Sequence, residues 1–374
     1  MAEINYYCYI CGKKITEENK SDEHIILNAI GGQLHSYTIL CKDCNSKMGD
    51  HADAQLAKDL SFYSHMLQVK RNRKQAPDIV MKDKEDNDII VKEAGKNLEL
   101  RHSSKTITQD GDKKEIRITA KNLKEMNAIL KGMVKKGVLT EEQVDKIIEP
   151  AHVQKEKPIL HTRTYISQEA FPSIIKSAVD YYVNQTHDIA TVHHLIPYIK
   201  GEKDCKEVLY LHHFKTLPYP ENKDEVTHMI HIEGSKETKL LYAMMEYYSI
   251  YVYIVILDDN YEGEYYNMTY TYDVVGNREV SRDFKLTLTL KDLQNFRDLP
   301  HEEYVKYLPY IQERANKVLG NWQKRSDEAE LHDVINEFFS KIPEGKMLDE
   351  KDISSISESI SKYFVDKIIN SQKL

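Results

Sequence analysis

The residues best suited to chemistry lie near the start of the chain. Two CxxC pairs, Cys8 with Cys11 and Cys41 with Cys44, flank a stretch of 29 residues at positions 12 to 40. Four thiolates in two such pairs are typical of tetrahedral zinc, with each pair forming a tight turn around the metal. The alternative, a set of unrelated reduced cysteines, rarely produces this pattern. We therefore predict a structural zinc ion, because four cysteines fill its shell and leave no position open for a reaction.

The stretch between the two pairs holds an acid beside a histidine, Glu23 and His24, in the segment SDEHIILNAIGG. An imidazole that titrates near neutral pH can accept a proton from water, and carboxylate oxygens suit a divalent cation. Phosphodiester hydrolysis needs such a base together with positive charge near the phosphate. The other interpretation is that His24 is a surface residue of a zinc-binding domain without enzyme activity.

The order of the motifs is CxxC, EHII, Gly31-Gly32, and CKDC followed by Asn45. This order resembles the HNH endonuclease family in its zinc-stapled branch. The resemblance covers residues 1–60 and ends near CNSKMGDHADAQLAKDL. It implies a ββα-metal fold, in which a hairpin is followed by a helix that begins near Cys44. The family often has proline after the His-Ile-Ile step, where this chain has Leu27.

The resemblance implies a role for each matching residue. His24 would be the general base that activates water, and Glu23 and Asn45 would bind a catalytic divalent ion, Mg²⁺ or Mn²⁺. The middle asparagine of the family is missing, and Ser36 in the segment HSYT is the nearest match to its position. Strand alternation sends Glu23 and His24 to opposite faces, so we predict that the pair lies at a strand end.

A basic cluster follows the motif and consists of Lys70, Arg71, Arg73 and Lys74. It is predicted either to bind the phosphates of a nucleic acid or to be a solvated helix end, and the sequence leaves both interpretations open. The formal net charge is -8, which argues against a general nucleic-acid coat protein. A nuclease of this composition would hold DNA through a local patch.

Two further residues near the motif could take part in the chemistry. Asp53 matches an acid that the family often shows, but the favoured interpretation is an acid on a helix surface that forms a local hydrogen bond. His51 is interpreted as a solvated helix residue rather than an additional metal ligand.

The elements that must position these residues follow from apolar spacing. Helices are predicted for KNLKEMNAILKGMVKKG, for the stretch opened by the capping box TEEQ, for FPSIIKSAVDYYV, and for the apolar stripe Ile353, Ile356, Ile360, Phe364 and Ile368. Strands are predicted for NDIIVKEA, LELRHS, EIRITA, HMIHI, YSIYVYIVIL, YYNMTYTY and FKLTLTL. The last would place Phe284, Leu286, Leu288 and Leu290 on one face.

Ten of the 25 tyrosines fall between Tyr242 and Tyr272. They are interpreted as covering a half-buried sheet, with base stacking as the alternative.

Composition limits the class of protein. With 41% hydrophobic and 30% charged residues, the chain suits a globular protein with a substantial core. Its longest apolar run, IYVYIVIL, fits a buried strand rather than a membrane span, and the first residues do not resemble a secretory signal. We therefore expect a cytoplasmic protein without membrane association.

Together these observations predict an α+β protein. An HNH module with structural zinc would occupy residues 1–75, a mixed α+β accessory domain residues 76–290, and a helical region residues 291–374. The resemblance implies a metal-dependent endonuclease that hydrolyses DNA, in a setting of bacterial restriction or phage defence. Two alternatives stay open: a non-catalytic zinc module that binds nucleic acid or protein, and RNA as the substrate. The accessory region could also bind a protein partner or a second copy of the chain.

Overall fold

The computed structural model describes residues 5–72, 75–110, 113–148, 160–162, 164–211, 224–282, 286–297 and 300–371. Over these residues the chain is a mixed α+β protein with a helical C-terminal part, which confirms the predicted class. It divides into two compact units, residues 1–77 with 164–323 and residues 78–163 with 324–374. Each unit therefore combines two separate parts of the sequence. The predicted boundaries at residues 75 and 290 remain a prediction.

The helices in chain order are α1 (Lys42–Gly49), α2 (Ala52–Asp59), α3 (Ser61–Met66), α4 (Leu123–Lys135), α5 (Glu141–Ile148), α6 (Phe171–Thr186), α7 (Ile196–Ile199), α8 (Leu290–Arg297), α9 (His301–Val305), α10 (Leu308–Ser340) and α11 (Glu350–Ser371). The predicted helices correspond to α4, α5, α6 and α11. Among the described helices, none is long and apolar enough to span a bilayer.

The strands are β1 (Glu23–His24), β2 (His35–Ser36), β3 (Ile79–Lys82), β4 (Asp88–Lys92), β5 (Asn97–Leu100), β6 (Ser104–Asp110), β7 (Lys113–Thr119), β8 (Leu209–Leu211), β9 (Thr227–Ser235), β10 (Leu240–Tyr247), β11 (Tyr251–Asp258), β12 (Tyr266–Asp273) and β13 (Arg278–Glu279). All the predicted strands except FKLTLTL are found. The sequence patterns did not single out β10, although it lies at the centre of the main sheet.

The main sheet of the first unit is antiparallel, with the strand order β13-β12-β9-β10-β11-β8 in the described part of the chain. Helix α6 packs against one face of β10 and β11. The other face is covered by a second apolar cluster that includes Met244, Ile254 and Leu293. Strands β9 and β10 are therefore buried on both faces. Tyr242, Tyr253 and Tyr270 are buried, which agrees with a packing role for tyrosine rather than base stacking.

The second unit holds a three-stranded antiparallel sheet, β3-β4-β5, and the hairpin β6-β7. The predicted capping box that opens α5 is present: Gln143 N donates to Thr140 Oγ1 over 3.3 Å, and Thr140 N donates to Gln143 Oε1 over 2.9 Å. On α11, Tyr363 donates a hydrogen bond to the carbonyl oxygen of Asp327. The predicted apolar stripe lies on this helix, and Ile353 and Ile368 in it are exposed.

The strand predicted from FKLTLTL is wrong for its described part. Phe284 lies outside the described residues, residues 286–289 form no strand, and α8 begins at Leu290. Asp292 accepts hydrogen bonds from the backbone and the hydroxyl of Thr289, and its own N–H donates to Thr289 Oγ1. This reciprocal cap starts a helix where period-two alternation predicts a strand. Leu288 still packs into the core, so the apolar pattern reflects burial without sheet pairing.

Candidate active site

The four cysteines of the two CxxC pairs come together. Their sulfur atoms all lie within 4.8 Å of one another, and the Sγ atoms of Cys11 and Cys41 are 3.7 Å apart. Zinc–sulfur bonds of about 2.3 Å in a tetrahedron require sulfur atoms about 3.8 Å apart, so the group fits one zinc ion. Burial raises the pKa of Cys8 to about 11. A metal that binds here must therefore displace protons, which couples its affinity to pH.

Local structure explains how the two pairs form. Gly12 has a φ of 71° and its N–H donates to Cys8 O over 2.8 Å, which closes the first turn. Cys41 lies at the N-cap of α1, so the second pair is at the positive end of a helix dipole, where thiolates are favoured.

Glu23 and His24 lie on opposite faces of a short hairpin. Glu23 pairs with Ser36 and His24 pairs with His35 between antiparallel β1 and β2. Alternation directs Glu23 and Ser36 inward, where both are buried, while His24 is half-buried and His35 is exposed. Strand β1 ends at His24, as predicted. The Ser36 hydroxyl contacts Thr38 Oγ1 at 3.1 Å, so Ser36 does not take the place of the missing asparagine beside His24.

The two glycines return the chain toward β2. Gly31 has a φ of 98°, a value that favours glycine. A Cβ added at Gly32 would lie 2.0 Å from the Ile26 carbonyl oxygen. The loop is also held from the main sheet: His228 Nε2 and the Tyr248 hydroxyl both donate to Ile30 O, at 2.9 and 2.8 Å. Burial lowers the pKa of His228 to about 4, so this ring stays neutral at neutral pH. Residues far along the sequence thus fix the loop that follows His24.

The ring of His24 faces three polar neighbours. Asn72 Nδ2 lies 3.1 Å from His24 Nε2, so a neutral ring with its lone pair on Nε2 accepts this hydrogen bond. His35 stacks on the other side, with ring centroids 5.7 Å apart and planes inclined by 24°. Asp22 Oδ1 is 2.6 Å from His35 Nδ1. Partial burial lowers the pKa of His24, which keeps its ring neutral and able to accept a proton.

The basic cluster runs beside the hairpin loop. Asn72 N donates to Asn28 Oδ1 over 2.9 Å, and Gln33 Nε2 donates to Lys70 O over 3.3 Å. Lys70 is exposed and Arg71 is half-buried. Arg73 and Lys74 lie outside the described residues. The described half of the cluster is therefore attached to the loop whose preceding strand carries His24.

Glu23 points into a buried cluster of charged groups. Lys176 of α6 donates to Glu23 Oε1 over 2.5 Å and to Asp53 Oδ2 over 3.0 Å, and lies 3.7 Å from Asp180 Oδ2. The Tyr9 hydroxyl donates to Asp180 Oδ1 over 2.7 Å, and Ser173 Oγ donates to Asp53 Oδ1 over 2.5 Å. The favoured interpretation of Asp53 as a helix-surface acid is therefore wrong, because Asp53 is only 7% exposed. His51 is exposed, in agreement with a solvated residue.

One ammonium group, that of Lys176, faces three carboxyl groups in this cluster. Burial alone would lower the pKa of Lys176, but the three carboxylates raise it well above its usual range, so the ammonium keeps its proton. Burial raises the pKa of Glu23 and of Asp180, and Lys176 opposes both shifts. A lysine 1% exposed is stable here only because carboxylates surround it.

Lys176→Met is expected to lower the free energy of unfolding by about 3–5 kcal/mol, because it leaves buried carboxylates without a counter-ion. Chemical denaturation of wild type and variant measures the change. Lys58→Met, which replaces an exposed lysine on α2, is the matched control and should stay within about 0.5 kcal/mol of wild type. Equal stability of Lys176→Met and Lys58→Met would contradict the assignment.

The oxygen ligands expected for a divalent ion are available in part. Glu23 Oε2 is buried and has no hydrogen-bond partner among the described residues, while Oε1 contacts Lys176. Asn45, in the first turn of α1, donates from Nδ2 to Ser21 Oγ over 2.6 Å. This contact ties α1 to the segment that leads into β1. One oxygen of Glu23 is thus bound to lysine, and the other lies in the buried cluster with Asp180, on the opposite face of the hairpin from His24.

No curated protein and no solved structure matches this chain. The segment that carries the four cysteines, the Glu23-His24 pair, the glycine turn and Asn45 does match a family model. Residues 8–61 match the model of the HNH endonuclease, which confirms the resemblance over this part of the chain.

Proposed function

We propose that this chain is a metal-dependent HNH endonuclease that hydrolyses phosphodiester bonds of DNA, in the setting of bacterial restriction or phage defence. β1, β2 and α1 would form its ββα-metal unit, and the four cysteines would hold a structural zinc ion. The observation that carries the proposal is the outward face of the hairpin. There His24, with its lowered pKa, contacts Asn72, which lies between Arg71 and Arg73 in the basic segment.

The side chains would act in a simple division of roles. Lys70 and Arg71 would bind phosphate oxygens, which places the scissile phosphate near His24. A water molecule that replaces the Asn72 amide at His24 Nε2 would give up a proton to that nitrogen as its oxygen attacks phosphorus. Mg²⁺ or Mn²⁺ at Glu23 and Asn45 would supply positive charge for the phosphate oxygens once the Glu23 carboxylate turns from the buried cluster toward the face of His24. The motif spacing did not identify Asn72 as a functional residue. In the sequence it stands out only by its position within the basic cluster.

One observation favours a second candidate function. Lys176 already neutralises Glu23, which reduces the attraction of this carboxylate for a divalent ion. A non-catalytic zinc module that binds nucleic acid or protein would have no need of that ion. The two candidates differ in whether the purified protein cleaves anything.

The test is cleavage of plasmid DNA, linear DNA and RNA of the same sequence with added Mg²⁺. We expect DNA products with 5′-phosphate and 3′-hydroxyl ends. Absence of cleavage of every substrate by zinc-loaded protein would favour the binding module, and preferential cleavage of RNA would change the substrate class.

The zinc and the catalytic ion are expected to be different metals at different sites. The cysteine shell is closed, whereas Glu23 and Asn45 offer oxygen atoms that suit a harder ion. Zinc-saturated protein treated to remove loosely bound ions should therefore cleave DNA only after Mg²⁺ or Mn²⁺ is added. Full activity of such protein, with elemental analysis showing zinc alone, would contradict the two-site assignment.

A further inference from the structure

A second histidine lies beside His24 and has no role in the proposed function. His35 is the antiparallel partner of His24 on β2, and the two rings stack with centroids 5.7 Å apart. Both project from the outward face of the hairpin. The side chain of His35 is 45% exposed, so a substrate that reaches His24 also reaches His35.

The orientation of His35 is fixed by a carboxylate. Asp22 Oδ1 lies 2.6 Å from His35 Nδ1, which keeps a proton on that nitrogen and makes Nε2 the nitrogen that can exchange a proton with a substrate. A histidine held in this way by a carboxylate is a common arrangement for general acid–base catalysis. Tyr37 contacts the same ring edge-on at 5.4 Å and supports its orientation.

We propose that His35, held by Asp22, is the general acid of the reaction, a proposal that rests on the proposed nuclease function. His24 accepts a proton from water while the water oxygen forms a bond to phosphorus. The bond from phosphorus to the 3′-oxygen breaks, that oxygen keeps the bonding electrons, and His35 in its imidazolium form, with a proton on each ring nitrogen, passes the Nε2 proton to it and becomes neutral. Both rings return to their starting state by exchanging protons with solvent.

The stacked rings of His24 and His35 are arranged in a way that suits a base and an acid acting on one phosphate. In an in-line displacement the attacking and leaving oxygens lie on opposite sides of phosphorus, so a base and an acid must flank the same phosphate. A phosphate that lies across the outer edges of the two rings, whose centroids are 5.7 Å apart, would have one apical oxygen beside each imidazole. A purely structural ion pair at this exposed position would contribute little to stability, so an effect on cleavage can be separated from an effect on folding.

The test uses two oligonucleotides that differ in one atom, the bridging 3′-oxygen or a bridging 3′-sulfur at the cleaved linkage. A thiolate leaves without a proton donor, because thiols are far more acidic than alcohols. His35→Ala is expected to cut the oxygen linkage about a hundredfold more slowly than wild type and the sulfur linkage at a rate close to wild type. His24→Ala should be slow on both linkages, because the base is still needed.

Two further variants separate an effect on catalysis from an effect on folding. His35→Asn can still donate a hydrogen bond to Asp22 but cannot exchange a proton, so it should behave like His35→Ala on both linkages. His102→Ala, which removes an exposed histidine of the second unit, should match wild type on both. Zinc content and thermal midpoint are recorded for every variant.

The outcomes are distinct. His35→Ala and His35→Asn that are equally slow on both linkages, or as fast as wild type on both, would overturn the general-acid role while leaving His24 as the base. Wild-type protein that cuts neither linkage would overturn the proposed function and this role with it.

Discussion

Cys41→Ser is expected to release zinc and unfold the segment of residues 8–61. Structural zinc contributes about 10–16 kcal/mol in small zinc domains, which is as large as the whole stability of an ordinary domain. Cys41 is the N-cap of α1 but its side chain makes no capping bond, and serine is a favoured N-cap, so the effect of Cys41→Ser reports on the metal site. Elemental analysis should give about one zinc per chain for wild type and much less for the variant.

The matched control is Cys205→Ser, which replaces a buried cysteine that is not part of the metal group. This variant should retain its zinc. Limited proteolysis should cut the first 60 residues of Cys41→Ser rapidly and leave those of Cys205→Ser intact. A folded, protease-resistant N-terminal segment in zinc-free Cys41→Ser would show that the metal does not hold this part of the chain.

His24→Ala is expected to lower the cleavage rate by about a hundredfold or more, the usual effect of removing a general base. The half-buried ring contacts Asn72 and His35 but none of the cysteines, so zinc content and thermal stability should stay near those of wild type. Rates are compared at saturating DNA, because the loss should appear in kcat rather than in KM.

His51→Ala is the matched control, since His51 is an exposed histidine on the same segment. It should cleave at the wild-type rate. His24→Ala that cuts as fast as His51→Ala would remove His24 from the mechanism, and the nuclease proposal would lose its base.

The parts of the site that the sequence predicts are those set by short-range geometry. Two CxxC pairs enclose a metal wherever a turn and a helix start bring them together. The alternation of Glu23 and His24 follows from strand geometry alone. The turn at Gly31-Gly32 follows from backbone conformation and from the space available beside Ile26. The sequence pattern alone predicts these features, although His228 and Tyr248 also hold the loop at Ile30.

The parts that could not be predicted depend on contacts between distant residues. Lys176 lies 153 positions after Glu23, and a lysine in FPSIIKSAVDYYV reads as an ordinary polar residue of an amphipathic helix. The sequence also predicts that Asp53 is exposed, because its partners Ser173 and Lys176 lie on a different, distant element. The strand predicted from FKLTLTL failed because a cap at Thr289 outweighed local alternation. In each case tertiary packing or capping determined the outcome.

The position of Lys176 has a consequence for how the protein is made. The carboxylate of Glu23 leaves the ribosome first, and its counter-ion follows only after residues 78–163, which belong to the second unit, have been synthesised. At about 5–20 residues per second this delay is about 8–30 s. During that time the nascent chain already carries His24 and all four cysteines, but Glu23 has no lysine to neutralise it. The matched segment of residues 8–61 is therefore contiguous in sequence, whereas the buried charged cluster around Glu23 is completed only after translation has passed α6.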